Sequence, residues 1–334
     1  MITVAVIGGG SWGTAFAQIA ADAGHRVVLW ARDPQIVDAI NAGHENPVYH
    51  PGIVLPTSVI AVHDVPSALA DADVVILAIP VQTMRASLEA WGQHIPSQAL
   101  VVSLAKGLEQ KTDLRVTEVI HEVTGIPRER IGVLSGPNLA GEIVLREPAA
   151  TTVACIDESN ARRLQEICSS DYFRAFYSTD VIGVEIAGAT KNVIALAAGV
   201  IAGMNLGENA QAAIATRGLA EMTKLGVALG AQPTTFLGLA GVGDLVATCA
   251  SPLSRNRSFG VHIGEGMSVA QVMESTRLTC EAVKSCEPIV ELAKANGVEM
   301  PISELVVEMV HHGLPAHDMV AKFLASDVDD GAEL

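Results

Sequence analysis

Aromatic side chains are scarce in this chain: six Phe, three Trp and three Tyr, 4% of 334 residues. With so few large rings the interior must be filled by aliphatic and small residues, so helices are expected to pack through small side chains. Positive charge is also short, with 21 Lys and Arg against 37 Asp and Glu and a net charge of −16. That balance argues against nucleic acid or an acidic membrane surface as a partner, since both select a positive footprint. An anionic small molecule would need a local basic site. Cysteines number five (Cys155, Cys168, Cys249, Cys280 and Cys286), with no CxxC and no Cys/His zinc spacing. No metal site is expected, and the thiols read as the reduced ones of a cytoplasmic protein. No basic stretch precedes the first strand pattern, so no signal peptide is expected.

Apolar and small residues make up the balance: 49% of the chain is hydrophobic and its mean hydropathy is +0.37. The length exceeds one typical core, which points to two domains. The apolar run at residues 2–7 reads as a buried strand, the Gly8-Gly9-Gly10-Ser11-Trp12-Gly13 turn follows, then a helix closed by Gly24, then a strand at 27–30. A lone G-x-G-x-x-G is weak, but between a strand and a helix it is the dinucleotide-binding pattern. Gly8 permits the tight turn, Gly10 lets a pyrophosphate approach the backbone, and Gly13 lets helix pack on strand. After the second strand come Arg32, Asp33 and Pro34. Asp33 before Pro34 reads as a helix cap. Arg32 is then left to meet a 2′-phosphate, which favours NADP(H) and leaves NAD(H) possible. The 44–56 loop, HENPVYHPGIVLP, is bland by composition.

Further strands are expected at 58–62, 74–80, 99–107, 131–137, 150–156 and 172–178, with helices ending near Ala70, at Val81–Trp91 and at 158–169. Lys106 falls just beyond a strand end, where doubly wound sheets bind ligands. From Asp180 onward helical runs take over, at 181–204, 208–229, 239–248, 254–264, 279–296, 301–312 and 315–325. The expected architecture is an α/β Rossmann domain over residues 1–182, then an all-helical domain over 183–334 with a frayed acidic tail from about 326.

The helical half opens with an apolar stretch, Ile186–Gly207, that carries one charge, Lys191. A lysine there is costly to desolvate without partners. Its helical neighbours Ala187, Gly188, Ala195 and Ala198 are small, which leaves a slot for a ligand. A membrane span or a core helix with a snorkelling lysine are the competing readings. Lys191, Asn192, Asn205 and the lack of a second such segment argue against a span. Substrates of two-domain dehydrogenases lie between domains, which would bring Lys191 to a nicotinamide. Two more groups stand out. Asp244 follows a glycine-rich approach, with Thr248 one turn later, and Ser254-Arg255-Asn256-Arg257 is a dense basic cluster in an acidic chain. Arginine's fork grips phosphate, and Ser and Asn add neutral donors. A helix cap and a solvated turn are the plain alternatives for these two groups.

Together the segments IGGGSWGTA, HENPVYHPG, VVSLAKGLE, SGPNLAGEI, GATKNVIALAAG, NAQAAIATRGLAEM, GLAGVGDLVATC and SRNRSFG resemble the bacterial type of NAD(P)-dependent glycerol-3-phosphate dehydrogenase nearly end to end. The resemblance implies reduction of dihydroxyacetone phosphate to sn-glycerol 3-phosphate in phospholipid synthesis, by a homodimer. It implies Lys191 as proton donor, and Lys106 touching substrate and cofactor. Gly136, Asn138, Asp244, Ser254, Arg255 and Asn256 fall in the implied substrate site. Ser11, Trp12, Arg32, Ala140, Thr279, Glu281 and Arg255 match cofactor contacts. Two departures are visible: Thr279-Cys280-Glu281-Ala282-Val283 stands where V-V-E-G-V is usual, and Asn138-Leu139 where Ser or Thr precedes Phe. Two other readings stay open: a different Rossmann-plus-helical dehydrogenase, and an inactive NADPH-binding regulator. The SRNR cluster speaks against the first, and intact Lys106, Lys191 and Asp244 against the second.

Overall fold

The valine-rich runs of the first half form one eight-stranded sheet. The structure, a computed structural model, describes residues 2–275 and 280–325. Its first unit comprises Met1–Lys106 and Arg115–Val184, its second Gly107–Leu114 and Glu185–Leu334. Along the first unit run β1 (Thr3–Ile7), α1 (Ser11–Asp22), β2 (Arg26–Trp30), α2 (Pro34–Gly43), β3 (Val59–Val62), α3 (Val65–Leu69), β4 (Val74–Leu77), α4 (Val81–Trp91) and β5 (Leu100–Ser103). There follow α5 (Val116–Thr124), β6 (Ile131–Ser135), α6 (Ala140–Ile143), β7 (Ala149–Cys155), α7 (Glu158–Ile167) and β8 (Phe173–Ser178).

In space the order is β3-β2-β1-β4-β5-β6-β7-β8. The first six strands pair in parallel. β4 and β5 are buried at every position, as strands covered on both faces must be. The order reverses between β1 and β4, the crevice where doubly wound sheets take ligands. The expected sheet is present with one difference: β7 runs antiparallel to β6, and β8 follows β7 in parallel. Strand composition carries no direction, so that reversal was not readable. Several runs also stop early. β4 ends at Leu77 and β5 at Ser103, which leaves Lys106 on the irregular segment beyond the strand. Phe16 of α1 and Phe173 of β8 share one aliphatic core with β1, β2 and β4. Asp33 caps α2 as its sequence suggested, accepting from the Gln35 backbone N–H at 2.9 Å with Pro34 at the first helical position.

From Val181 on, the described elements are helices: α8 (Val181–Gly203), α9 (Glu208–Ala228), α10 (Pro233–Phe236), α11 (Asp244–Ala250), α12 (Arg255–Gly264), α13 (Val269–Ser275), α14 (Glu281–Ala295), α15 (Pro301–His311) and α16 (Ala316–Ala325). The acidic tail from 326 lies outside the described residues. The single helix expected at 239–248 is instead a π-turn, Leu239–Gly243, followed by α11. Gly241 breaks it with φ −91° and ψ −105°. A Cβ there would run into the Phe236 carbonyl, so only glycine allows that close approach.

α8 and α12 meet backbone to backbone. A Cβ on Gly199 would strike the Arg257 carbonyl, and one on Gly203 the Val261 carbonyl; in return Gly260 faces Leu196 and Gly264 faces Val200. This is the small-residue packing that the dearth of aromatics implied. Two stretches, not one, are long and apolar enough to cross a membrane: Val181–Gly203 and Pro233–Ala250. The expectation of no second segment therefore fails. What replaces it is burial: 89% of the apolar window in α8 lies inside the protein, and the second stretch breaks at Gly241.

Glu221 on α9 is buried and caps α15. Its carboxylate accepts from the Ile302 N–H at 2.6 Å, the Ser303 N–H at 3.3 Å and the Ser303 hydroxyl at 3.1 Å. Burial pushes its carboxyl up to about 7 from an ordinary 4.5, against the opposing pull of those donors. The folded state thus holds a proton that the unfolded chain has released between these values. Stability from this group is greatest below pH 4.5 and is lost as pH rises through about 7, an effect on the order of 3 kcal/mol. Denaturant melts of wild type and Glu221→Gln should diverge across that window, with wild type losing stability relative to the variant as pH rises. Parallel curves would contradict it.

Candidate active site

In the first unit the glycine turn leads from β1 into α1. Gly8 has φ +133° and no room for a Cβ against the Ala78 carbonyl. Gly13 lies against the Gly8 carbonyl, which holds the helix start onto the turn. Gly10, by contrast, faces open space: a Cβ there would meet nothing within 4 Å. An anion can therefore approach the first turn of α1, where unpaired N–H groups and the helix dipole favour it. Trp12 packs edge-on against Phe16, centroids 6.0 Å apart, and its buried indole N–H has no partner among the described residues. Arg32 is exposed just past β2.

The bland 44–56 loop braces this turn, a role its composition did not signal. Asn46 is fully buried and donates to the Gly9 carbonyl at 3.1 Å and to Thr14 Oγ1 at 2.9 Å. His50 Nε2 lies 2.8 Å from the Ser11 carbonyl and 3.3 Å from Ser11 Oγ. As donor to the carbonyl it leaves the Ser11 hydroxyl hydrogen for another acceptor. The available signal was a polar Asn and His spaced through a Pro-rich loop, ambiguous without the fold.

Lys106 Nζ donates to the Gly136 carbonyl at 3.0 Å, so these two residues meet past the ends of β5 and β6. Gly136 has φ +156°, and a Cβ there would crowd Thr151. Asn138 Nδ2 donates to Thr151 Oγ1 at 3.0 Å, while its buried Oδ1 has no partner among the described residues. Ala140 opens the short α6.

In the second unit Lys191, 7% exposed, donates to Thr248 Oγ1 at 2.7 Å and pairs with Asp244 Oδ1 at 3.0 Å. Thr248 in turn donates to Asp244 Oδ1 at 3.1 Å, which closes a triangle. Asp244 opens α11 with its carboxylate on the lysine. An ammonium has three donors, and this triangle occupies two. The third has no partner among the described residues.

Beside the triangle is the N-terminus of α12. Ser254 is its cap, accepting from the Arg257 N–H at 3.3 Å, so part of the cluster does serve the helix start. Arg255 is exposed and Asn256 buried. Arg257 keeps a buried Nε with no partner among the described residues. Asn256 Nδ2 donates to Asn192 Oδ1 at 2.9 Å, which ties this cluster to the residue after Lys191. Asn192 Nδ2 donates to Glu281 Oε2 at 3.3 Å. Thr279 lies outside the described residues. Ala282, where glycine is usual, is buried in the first turn of α14, and its N–H meets Asn256 Oδ1 at 3.1 Å. The changed loop therefore starts a helix without needing glycine's freedom. The five cysteines are free and buried; burial lifts Cys249 and Cys280, next to this site, to about 12, so neither is a ready nucleophile. No His, Cys, Asp and Glu grouping among the described residues could hold a metal ion.

Residues 3–161 match the family model for the N-terminus of NAD-dependent glycerol-3-phosphate dehydrogenase, and residues 180–321 match the model for its C-terminus. The chain is similar to the glycerol-3-phosphate dehydrogenase [NAD(P)+] of Thermobifida fusca, 57% identical over 97% of both chains. It is similar also to that of Corynebacterium kroppenstedtii, 51% identical over 98% of this chain and 99% of the relative. Among solved structures, the glycerol-3-phosphate dehydrogenase of Coxiella burnetii superposes with a TM-score of 0.91 at 32% identity, covering 97% of this chain and 99% of that one.

Proposed function

The chain belongs to the NAD-dependent glycerol-3-phosphate dehydrogenase family, and from that premise we propose that it reduces dihydroxyacetone phosphate reversibly to sn-glycerol 3-phosphate. The observation that carries this reading is the buried Lys191 with two N–H groups committed to Asp244 and Thr248 and one left over. That is the disposition of a general acid held toward a ligand.

The open face at Gly10, the Ser11 hydroxyl and the start of α1 suit a dinucleotide pyrophosphate. When bound, the reduced nicotinamide supplies the hydride to the ketone carbon. Lys191 gives its proton to the developing alkoxide and stabilises that charge as it forms. Asp244 balances the ammonium and, with Thr248, fixes its direction. Lys106 and Asn138 add donors for the substrate. Arg255, Asn256 and the start of α12 grip the phosphate, and binding spent there orients the reacting carbon. NADPH is the preferred donor and NADH the secondary one, because Arg32 is exposed while the Asp33 carboxylate is committed to its cap. The enzyme works in the cytoplasm as a homodimer and feeds glycerophospholipid synthesis.

Loss of NADPH absorbance on adding dihydroxyacetone phosphate, compared with NADH, tests activity and nucleotide preference together. No oxidation of either nucleotide would overturn the reading. Arg255→Ala should raise KM for dihydroxyacetone phosphate about tenfold or more, since it removes a charge-assisted grip. An unchanged KM would remove Arg255 from the phosphate site.

A further inference from the structure

Asn192 is next to the proposed acid but has no place in the chemistry described so far. It is 2% exposed on α8, and both ends of its amide are used. Its Oδ1 accepts from Asn256 Nδ2 at 2.9 Å, and its Nδ2 donates to Glu281 Oε2 at 3.3 Å. Asn256 is equally constrained, because its Oδ1 accepts from the Ala282 N–H and from the Cys280 thiol, each at 3.1 Å.

These contacts give the row a direction. An amide has an accepting end and a donating end, and exchanging them at Asn256 would set its NH2 against the Ala282 N–H. With Oδ1 pinned there, the Asn256 NH2 must face Asn192. One of its two hydrogens satisfies Asn192 Oδ1, and the other, with no partner among the described residues, is open to an anion. Asn192 is fixed in turn, because only its donating end can meet the Glu281 carboxylate. The carboxylate thus sets Asn192, and Asn192 holds the phosphate-facing amide.

We propose that Asn192 is a positioning residue that orients Asn256 toward the substrate phosphate and ties that orientation to Glu281 at the start of α14, which matches a nucleotide contact of the family. This rests on the reading above, in which Asn256 meets the phosphate and Glu281 the nucleotide. Asn192 touches neither ligand in this role. Its side chain communicates between the two subsites within one helical unit, through Asn256 on one side and Glu281 on the other.

The test is a set of steady-state KM and kcat values for Asn192→Leu, Asn192→Asp, Asn256→Ala and the double variant Asn192→Leu/Asn256→Ala. Asn256→Ala is expected to raise KM for dihydroxyacetone phosphate about tenfold or more by losing a hydrogen bond to a charged group. Asn192→Leu, similar in size and without polar ends, should raise it about tenfold in the wild-type background but less than about twofold on top of Asn256→Ala, because coupled residues do not add. Asn192→Asp still accepts from Asn256 but sets a second carboxylate beside Glu281. It should leave the substrate KM within about threefold and raise the KM for NADPH about tenfold. A general loss of structure would not separate the two constants in this way. Should Asn192→Leu fail to fold, Asn192→Ser, too short to reach Asn256, takes its place with the same expected shift. Multiplicative effects of Asn192→Leu and Asn256→Ala in the double variant overturn the positioning role. So does a normal substrate KM in Asn192→Leu beside a raised one in Asn256→Ala. An unchanged KM in Asn256→Ala overturns the phosphate assignment itself, and the positioning role with it.

Discussion

Lys191→Met is expected to lower kcat by about 10³-fold or more, the scale of losing a general acid that also stabilises the developing oxyanion. The Kd for NADPH should stay within about twofold, since the residues proposed to hold the nucleotide's pyrophosphate, Ser11 and the Gly8–Gly13 turn, are untouched. The substitution has a second consequence. Asp244, 2% exposed, loses its ammonium, and orphaning a buried carboxylate costs about 3–5 kcal/mol. A loss of activity alone could thus come from instability. Lys191→Met with Asp244→Asn separates the two effects. The double variant should recover most of the lost melting temperature, because no buried charge is left unpaired, yet kcat should stay as low as in the single variant. A double variant that regained activity, or a single variant with near-normal kcat, would end the assignment of Lys191 as the acid.

Gly260→Val should be as damaging to folding as Lys191→Met is to turnover. Its Cβ would run into the Leu196 carbonyl, 2.9 Å from the Val200 nitrogen and 3.0 Å from the Leu196 carbonyl carbon. None of these is a flexible side-chain end that could move aside. Overpacking of this kind costs about 3 kcal/mol or more, enough to leave much of the protein insoluble or melting far below wild type. Gly260→Ala should be milder and more informative. Forcing α12 away from α8 carries Ser254, Arg255 and Asn256 from Lys191 and Asn192, so KM for dihydroxyacetone phosphate should rise while nucleotide binding holds. Gly43→Ala is the control, since a Cβ there meets nothing within 4 Å and alanine favours helix by about 0.5–1 kcal/mol. Equal melting temperatures for Gly43→Ala and Gly260→Val would contradict this account of the helix contact.

The parts of the fold that could be read from sequence were those where one local rule decides. The glycine turn after β1 was visible because Gly8, Gly10 and Gly13 each answer a separate steric demand, and Asp33-Pro34 announced α2 by cap chemistry. α5 was not anticipated. It is short, with Val116, Val119 and Ile120 as its apolar face, and Glu118 reaches back to the Arg115 N–H at 3.0 Å to hold its start. Nor could composition tell that β7 runs against β6, since strand direction is settled by the chain's path and not by side-chain pattern. The region 239–248 looked helical because its residues are apolar, but the break at Gly241 depends on Phe236, which only the folded backbone brings near.

At the site, charge was the legible part. Lys191 and Asp244 stood out because charges in apolar surroundings need partners, and the structure makes them each other's. Neutral polar residues away from a charge cluster carry no such signal of their role. Asn46, His50 and Asn192 act through hydrogen bonds to partners 37, 39 and 64 or more residues away, and nothing local in the sequence distinguishes them from surface amides and imidazoles. Ser254 reads as a phosphate donor in the sequence, and its side chain also caps α12.

The glycine contact between α8 and α12 also bears on which substrates such an enzyme can accept. Because a Cβ at any of these glycines would strike the facing backbone, the spacing between the proposed proton donor and the proposed phosphate grip is a backbone dimension, a gauge cut into the scaffold. Side-chain exchange around the ligand can change its shape, charge or chirality without altering that gauge. A substrate one carbon longer or shorter between its carbonyl and its phosphate would ask two helices to slide. Selection for a new chain length would then begin at Gly199, Gly203, Gly260 and Gly264, positions outside the proposed ligand contacts.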